Sequence, residues 1–142
     1  MSSSIVVWLF DRLAHLPLSV LHRFGTLLGW IAYWSSGRYA QRLRENLGQV
    51  YGKNGEPEFR KLLRRTVAEA GRSIAELPWV WRRPVPEVLT RVRQCYGLEH
   101  VEAARQNGKG LIMLTPHMGC FEIIALYLAA QMPMTIMYRP AK

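Results

Sequence analysis

A histidine and a glutamate five residues apart form the feature of this sequence with the clearest chemical potential. His117 follows a short apolar run, residues 111–114, and a brief turn separates it from Glu122. An apolar run of that length predicts a buried strand, and the spacing that follows predicts a helix over residues 121–130. His117 is therefore expected at the carboxyl end of a strand, which is where open α/β sheets bind their ligands.

The two side chains together have the chemistry to activate a hydroxyl group. Five residues on a regular helix correspond to about 140° of rotation, so the pair can meet only if His117 lies in the turn before the helix. There, the Glu122 carboxylate can bind one imidazole nitrogen and leave the other free to accept a proton. Arg139, at the end of the next predicted strand, is expected to face the same pocket; its alternative role is to pair with a carboxylate.

Two other kinds of chemistry, a cysteine nucleophile and a metal site, have weaker support than the His117–Glu122 pair. Cys120 lies three residues after His117, so a Cys–His nucleophilic pair is an alternative. The expected position of this thiol, in the first helical turn beside Phe121, favours packing instead. A zinc site has little support, because the other histidines lack partners at ligand spacing. These histidines are His15, His22 and His100.

Composition restricts the class of protein and its partners. The chain has 142 residues, of which 49% are hydrophobic, which is enough for one modest core. Its two cysteines give no disulfide framework, so a reducing, cytosol-facing location fits best. The net charge of +9 indicates an anionic partner such as a phosphorylated lipid, a membrane surface or an acidic carrier. Because no nucleic-acid-binding module accompanies the charge, we expect no nucleic acid partner.

The sequence divides into three segments: residues 1–35 are apolar and aromatic, residues 36–90 are basic and helical, and residues 91–142 alternate strands with helices. The first segment is either a helical hairpin packed on the protein's own core or a membrane anchor. Its tryptophan and tyrosine content and its basic flank favour the anchor. Its longest apolar run, residues 24–34, is too short to span a bilayer.

Apolar residues at spacings of three and four predict amphipathic helices over residues 38–52 and 56–81. The exit from this helical region is predicted at Pro78, Pro84 and Pro86. The polar face of the second helix carries five basic residues, which form either a solvated surface or a contact for an anion. They are Arg60, Lys61, Arg64, Arg65 and Arg72.

After residue 90 the predicted order is strand, helix, strand, helix, strand, which is typical of a sheet with helical crossovers. We therefore predict an α/β fold class, in which amino-terminal, membrane-associated helices precede the first part of a helix-flanked sheet. Because the chain stops directly after the third strand, the sheet is expected to be truncated. The predicted elements are strand 92–97, helix 98–106, strand 111–114, helix 121–130 and strand 133–138.

The motifs around His117 resemble those of a known family of enzymes. The H-x4-E motif of His117 and Glu122 is similar to the H-x4-D/E signature of glycerolipid acyltransferases. The surrounding residues 108–122, GKGLIMLTPHMGCFE, resemble the same region of the late acyltransferases of lipid A biosynthesis. Cys120 departs from the family, which often has asparagine there, and the family's second half is missing. Three further motifs resemble the family: Tyr138-Arg139-Pro140, Arg44-x-Asn46-Leu47 and Tyr96-Gly97-Leu98-Glu99.

The resemblance implies a sheet of the glycerolipid acyltransferase type and a specific reaction. A fatty acyl chain would move from acyl-acyl carrier protein to a hydroxyl of an anionic glycolipid, a lipid A precursor, at the cytoplasmic face of the inner membrane. It implies His117 as general base, Glu122 as the residue that orients it, and Arg139 as a substrate-binding residue, with no cofactor or metal. The alternatives are transfer to another glycolipid, phospholipid or aminolipid, and a non-catalytic basic fragment on the membrane surface. We expect the 142-residue chain alone to be inactive.

Overall fold

A computed structural model describes residues 2–51 and 56–137 of the chain. Helices are the regular secondary structure in these ranges, and turns and irregular segments join them. The chain forms two compact units, residues 1–83 and residues 84–142. The first two predicted segments therefore share one unit up to residue 83. The helices are α1 (Ser2–Ala14), α2 (Leu18–Ser35), α3 (Gly37–Tyr51) and α4 (Pro57–Arg82) in the first unit, and α5 (Val85–Leu89), α6 (Leu98–Gln106) and α7 (Glu122–Ala129) in the second.

α4 is the central element of the first unit, because α1, α2 and α3 all pack against it. It begins at Pro57, whose missing N–H costs nothing at the first helical position. Its inner face is buried at Phe59, Val67 and Trp79, as the predicted spacing of apolar residues requires. The helices predicted over residues 38–52 and 56–81 are thereby confirmed in α3 and α4.

Pro78 lies inside α4, within the helix predicted over residues 56–81. α4 does not end there but continues through Pro78 to Arg82. A proline inside a helix removes one backbone hydrogen bond and crowds the preceding turn. In α4 this cost is offset by burial, because Pro78 and the two apolar residues that follow it, Trp79 and Val80, are all buried.

α2 and α4 pack with their backbones almost in contact. Gly25 and Gly29 of α2 meet Gly71 of α4, and a Cβ added to Gly29 would lie 2.5 Å from the carbonyl oxygen of Val67. Only glycine permits this approach, because any side chain would overlap the opposite backbone. Sequence reasoning missed this pairing, although a Gly25-x3-Gly29 spacing is typical of closely packed helices.

Two polar contacts stabilise the same helix pair. The Nε2 atom of His22 in α2 lies 2.6 Å from Oε1 of Glu76 in α4, and both side chains are partly buried. Nε of Arg72 donates a hydrogen bond of 2.9 Å to Oγ1 of Thr26. These bonds flank the glycine contact and fix the register of the two helices, since each requires a particular alignment of donor and acceptor.

α1 packs against the carboxyl-terminal end of α4. The rings of Phe10 and Trp81 stack with centroids 6.1 Å apart. Next to them, Asp11 accepts a hydrogen bond from Nε of Arg82. The carbonyl oxygen of Ala14, at the last residue of α1, accepts a hydrogen bond of 2.7 Å from Nε of Arg83. The basic residues at the end of α4 therefore hold the first helix in place.

The outer face of α2 remains apolar and exposed. Its buried residues, Leu21, Gly25, Gly29 and Tyr33, lie at helical spacing along the side that faces α4. On the opposite side lies a stripe that we call the outer face of α2, and its members are exposed: Val20, Phe24, Leu27, Leu28, Ile31 and Trp34. The packed side of α2 agrees with a helical hairpin on the protein's own core, whereas the uncovered side leaves the membrane anchor a prediction. No helix in the described ranges has the length and apolarity that crossing a bilayer requires.

The second unit contains short helices joined by irregular segments. Val88 of α5 and Leu128 of α7 are its buried apolar residues, and these two helices pack together. The helices predicted over residues 98–106 and 121–130 are confirmed in α6 and α7. Gly108 and Gly110 adopt positive φ angles, as expected for the turn that follows α6.

The predicted sheet is not shown by the structure. Residues 92–97, 111–114 and 133–137 are neither helical nor β-strand, and the described residues contain no strand at all. A strand is stable only when a neighbour accepts and donates its backbone hydrogen bonds, and no described segment pairs with these runs. The apolar run before His117 is consequently uncovered, with Ile112 90% and Leu114 91% exposed.

Candidate functional site

The turn between the apolar run and α7 positions His117. The amide of Met118 donates a hydrogen bond of 2.8 Å to the carbonyl oxygen of Pro116, which closes a tight turn around the histidine. Gly119 follows with a φ angle of 57°, a left-handed conformation that glycine adopts at little cost. α7 then begins at Glu122. His117 thus lies in the turn before the helix and Glu122 in its first turn, as the sequence predicts.

The histidine and the glutamate are close in sequence but are not bonded in this structure. The His117 ring is exposed and packs against Phe121, with ring centroids 4.3 Å apart. Among the residues that the structure describes, no hydrogen bond joins His117 to Glu122. Catalytic hydrogen bonds are often long or poorly aligned before substrate binds and shorten in the reacting complex.

Glu122 occupies a favourable place for a carboxylate. It is the acidic residue in the first turn of α7 and it is partly buried. The first turn of a helix presents unpaired backbone N–H groups and the positive end of the helix dipole, which stabilise a negative charge. A carboxylate at this position is the kind of group that can orient an imidazole.

The remaining predicted site residues are placed as follows. Cys120 is partly buried in the turn before α7, two positions from the carboxylate, and forms no disulfide with the exposed Cys95. Arg139, the predicted substrate-binding residue, lies outside the described residues. Within the described ranges, no three histidine, cysteine or acidic side chains come together as ligands for a metal ion.

A second candidate site lies in the first unit, alongside α4. An open cleft of about 530 Å³ is lined by residues of α2 and α4, which we call the basic cleft. A smaller hollow of about 380 Å³ continues along α4 past Arg60 and Lys61 and shares two arginines with it. The lining residues of the basic cleft are Trp30, Arg64, Arg65, Ala68, Glu69 and Arg72. Sequence reasoning identified these arginines but missed Trp30, since only the close packing of the glycines brings α2 beside them.

Comparison with known proteins agrees with the H-x4-E motif. The family model for bacterial lipid A biosynthesis acyltransferases matches residues 1–142. The chain is 27% identical over 135 residues to the lipid A biosynthesis lauroyltransferase of Escherichia coli K12. It is 26% identical over 140 residues to the lipid A biosynthesis palmitoleoyltransferase of the same strain and, equally, to a lipid A biosynthesis acyltransferase of Shigella flexneri. No solved structure gives a significant match.

The chain therefore belongs to the bacterial lipid A biosynthesis acyltransferase family. The alignments with the two Escherichia coli proteins cover 95% of this chain but 43% of each relative. The chain thus spans less than half the length of these relatives, and it corresponds to their amino-terminal part. This confirms the resemblance that the motifs around His117 indicate.

Proposed function

We propose that this chain carries the catalytic dyad of an acyltransferase in lipid A biosynthesis. The observation that carries the proposal is the placement of His117 in an exposed turn directly before a helix whose first residue is Glu122. That arrangement occurs in a chain that matches the acyltransferase family model throughout. The relatives are named as lauroyl and palmitoleoyl transferases, so the proposed reaction moves a fatty acyl chain.

The proposed reaction begins with proton transfer to His117. One imidazole nitrogen takes the proton of a hydroxyl group on the lipid A precursor, and the hydroxyl oxygen attacks the thioester carbonyl of acyl-acyl carrier protein. The resulting tetrahedral intermediate collapses, the carbon–sulfur bond breaks, and the imidazolium returns its proton to the departing thiolate. The products are an ester and a free thiol, and no covalent bond to the protein forms.

Glu122 and Arg139 have supporting roles in this proposal. Glu122 orients the imidazole and stabilises the imidazolium while it holds the proton, as the acidic member of a catalytic triad does. Arg139 binds a phosphate of the acceptor or the negative charge that develops on the carbonyl oxygen. We further propose that residues 111–114 become a strand of an α/β sheet once neighbouring strands pair with them, which would hold His117 at a strand end.

Membrane association is the second part of the proposal. The outer face of α2 is a continuous apolar stripe on a helix whose other side is buried against α4. An amphipathic helix of this kind lies in the plane of a bilayer surface, with its apolar side among the acyl chains. We propose that α1 and α2 rest on the cytoplasmic face of the inner membrane, where a lipid acceptor is available. A non-catalytic membrane-surface protein remains the alternative, and the uncovered outer face of α2 favours it equally.

The decisive experiment measures acyl transfer by the protein expressed from its complete gene, with acyl-acyl carrier protein as donor and a lipid A precursor as acceptor. We expect His117→Ala to abolish transfer and Cys120→Ala to leave it nearly unchanged. Cys120→Ala is the matched control because it changes a side chain in the same turn. Loss of activity in Cys120→Ala with retention in His117→Ala would replace the general-base mechanism by a cysteine nucleophile. Full activity in both variants would show that neither His117 nor Cys120 takes part in the reaction.

A further inference from the structure

The basic cleft has more positive charge than the protein itself neutralises. Glu69 is its acidic member, and that carboxylate lies 2.7 Å from a terminal nitrogen of Arg72. Arg72 also donates to Thr26, so two neighbours already occupy its guanidinium. Arg64 and Arg65 are exposed, and neither forms an ion pair or hydrogen bond with another described residue. Two guanidinium groups therefore face the cleft with their donors directed to solvent.

The helical positions of the basic residues explain why they act together. Residues 61, 64, 65 and 72 of α4 lie within about 100° of one another around the helix axis at 3.6 residues per turn. Arg60, next to Lys61, adds a further charge, and these two residues line the adjoining hollow together with Arg64 and Arg65. A guanidinium presents paired N–H donors that match two oxygens of one phosphate, which an ammonium cannot do. The basic cleft thus has the donor set for a phosphate group.

Aromatic residues of α2 beside the basic cleft indicate that this phosphate belongs to a membrane lipid. Trp30 lines the basic cleft, and its ring lies 5.3 Å from that of Trp34 and 5.7 Å from that of Tyr33, centroid to centroid. Trp34 is 72% exposed and belongs to the outer face of α2. Tryptophan and tyrosine rings prefer the boundary between headgroups and acyl chains. When the outer face of α2 rests on a bilayer, this aromatic cluster brings the cleft to the depth of the lipid phosphates.

We propose that the basic cleft binds the phosphate of an anionic lipid headgroup, with Arg64 and Arg65 as its principal ligands and Trp30 as its wall. The inference rests on the membrane part of the proposed function and adds a defined binding site to it. The partner is a phosphate held in the plane of a bilayer, because the apolar outer face of α2 borders the cleft through Trp30 and Trp34. The site belongs to the first unit, and none of its residues takes part in the acyl-transfer proposal.

The test measures binding of the 142-residue chain to vesicles of phosphatidylcholine with or without phosphatidylglycerol, by cosedimentation. Arg64→Gln with Arg65→Gln removes two charges, and at about fivefold per charge near an anionic surface the partition coefficient is expected to fall about 25-fold. The charge-matched control is Arg93→Gln with Lys109→Gln in the second unit, which is expected to lose less than a fifth of that factor. Far-ultraviolet circular dichroism of each variant verifies an unchanged helix content, since all four side chains are exposed.

A second pair of changes separates a phosphate site from a general positive surface. Arg64→Lys with Arg65→Lys keeps the net charge but loses the paired donors, and one lost hydrogen bond of ordinary strength lowers binding about fivefold. Equal binding by the lysine variant and the parent chain would show that positive charge alone accounts for binding, and it would overturn the proposal. Equal losses in the second-unit control and the cleft variant would overturn it as well. Failure of the parent chain to bind any vesicle would overturn both the cleft and the membrane part, but not acyl transfer, which has its own assay.

Discussion

Gly71 of α4 lies so close to Gly25 of α2 that a Cβ built on Gly71 would stand 2.0 Å from the Gly25 carbonyl oxygen. The opposing atoms belong to the backbone, which cannot turn aside as a flexible side chain can. The same Cβ would also lie 2.8 Å from the backbone nitrogen of Gly29. The α2–α4 pair, which shapes the basic cleft, therefore depends on the absence of a side chain at this one position.

We expect Gly71→Ala to force the two helices apart and to lower the free energy of unfolding of the helical unit by about 1–3 kcal/mol, the usual cost of overpacking. Thermal unfolding followed at 222 nm measures the effect. Gly48→Ala is the matched control, because Gly48 lies inside α3 with no atom within 4 Å of its would-be Cβ. Alanine there is expected to stabilise by up to about 1 kcal/mol through helix propensity. Equal effects of the two substitutions would show that close packing is not what Gly71 provides.

The contact between Asp11 and Arg82 makes the docking of α1 dependent on pH. The hydrogen bond from Arg82 lowers the pKa of the Asp11 carboxyl below its usual value, and the charges of Arg82, His15 and Arg12 act in the same direction. A carboxyl whose folded-state pKa is depressed contributes stability above its unfolded pKa and loses it as the pH falls through the folded value. We expect the chain to lose stability below about pH 4, the usual aspartate range. Asp11→Asn should remove this part of the pH dependence in thermal unfolding at pH 7 and pH 3.

The helices were predictable from the sequence because their signals are local. Apolar residues at spacings of three and four define α3, α4 and α6, and Gly97 with a φ angle of 81° marks the start of α6. α4 continues through Pro78, where burial of neighbouring residues outweighs the preference of proline for helix ends. A local pattern cannot report that compensation, since it depends on what packs against α4.

The strands and the geometry of the site depend on partners that are distant in the chain. The apolar run at residues 111–114 has the composition of a strand, but a strand needs a neighbour for its hydrogen bonds, and the described residues supply none. The sequence did predict the turn at His117 and the start of α7 near Glu122, because Gly119 and the helical spacing are local features. The hydrogen bond between the side chains of His117 and Glu122 stays a prediction, and so does the position of Arg139.

The outer face of α2 is expected to provide most of the apolar contact with a bilayer. Leu27 and Ile31 are 55% and 49% exposed and lie one turn apart on that face. Changing both to glutamine should lower binding to phosphatidylglycerol vesicles about tenfold or more, since each loses part of the 1.5–3 kcal/mol that burial of such a side chain provides. Ile74→Gln, at an exposed apolar position on α4, is the control and should bind like the parent chain. Recovery of the parent chain wholly in the soluble fraction, without detergent, would contradict the membrane proposal.

Glu122→Gln distinguishes orientation of the histidine from stabilisation of its charge. Glutamine keeps an oxygen that can accept a hydrogen bond from the imidazole, but it has no charge to balance an imidazolium. If Glu122 acts through charge, acyl transfer by the protein from the complete gene should fall about 10²-fold in kcat with little change in KM, the usual scale of acid–base participation. Glu122→Ala should fall at least as far, because it removes the acceptor too. Glu87→Gln, a change of the same kind on the neighbouring helix α5, should leave kcat within twofold of the parent value if the effect is specific.

The 142-residue chain alone is expected to give no measurable transfer, since a dyad without positioned substrates lacks the proximity contribution of about 7–11 kcal/mol. Turnover by that chain at the rate of the complete protein would contradict this expectation. Full activity of Glu122→Gln with loss in Glu122→Ala would limit Glu122 to orienting His117. Full activity of both variants would contradict any role for Glu122 in the mechanism.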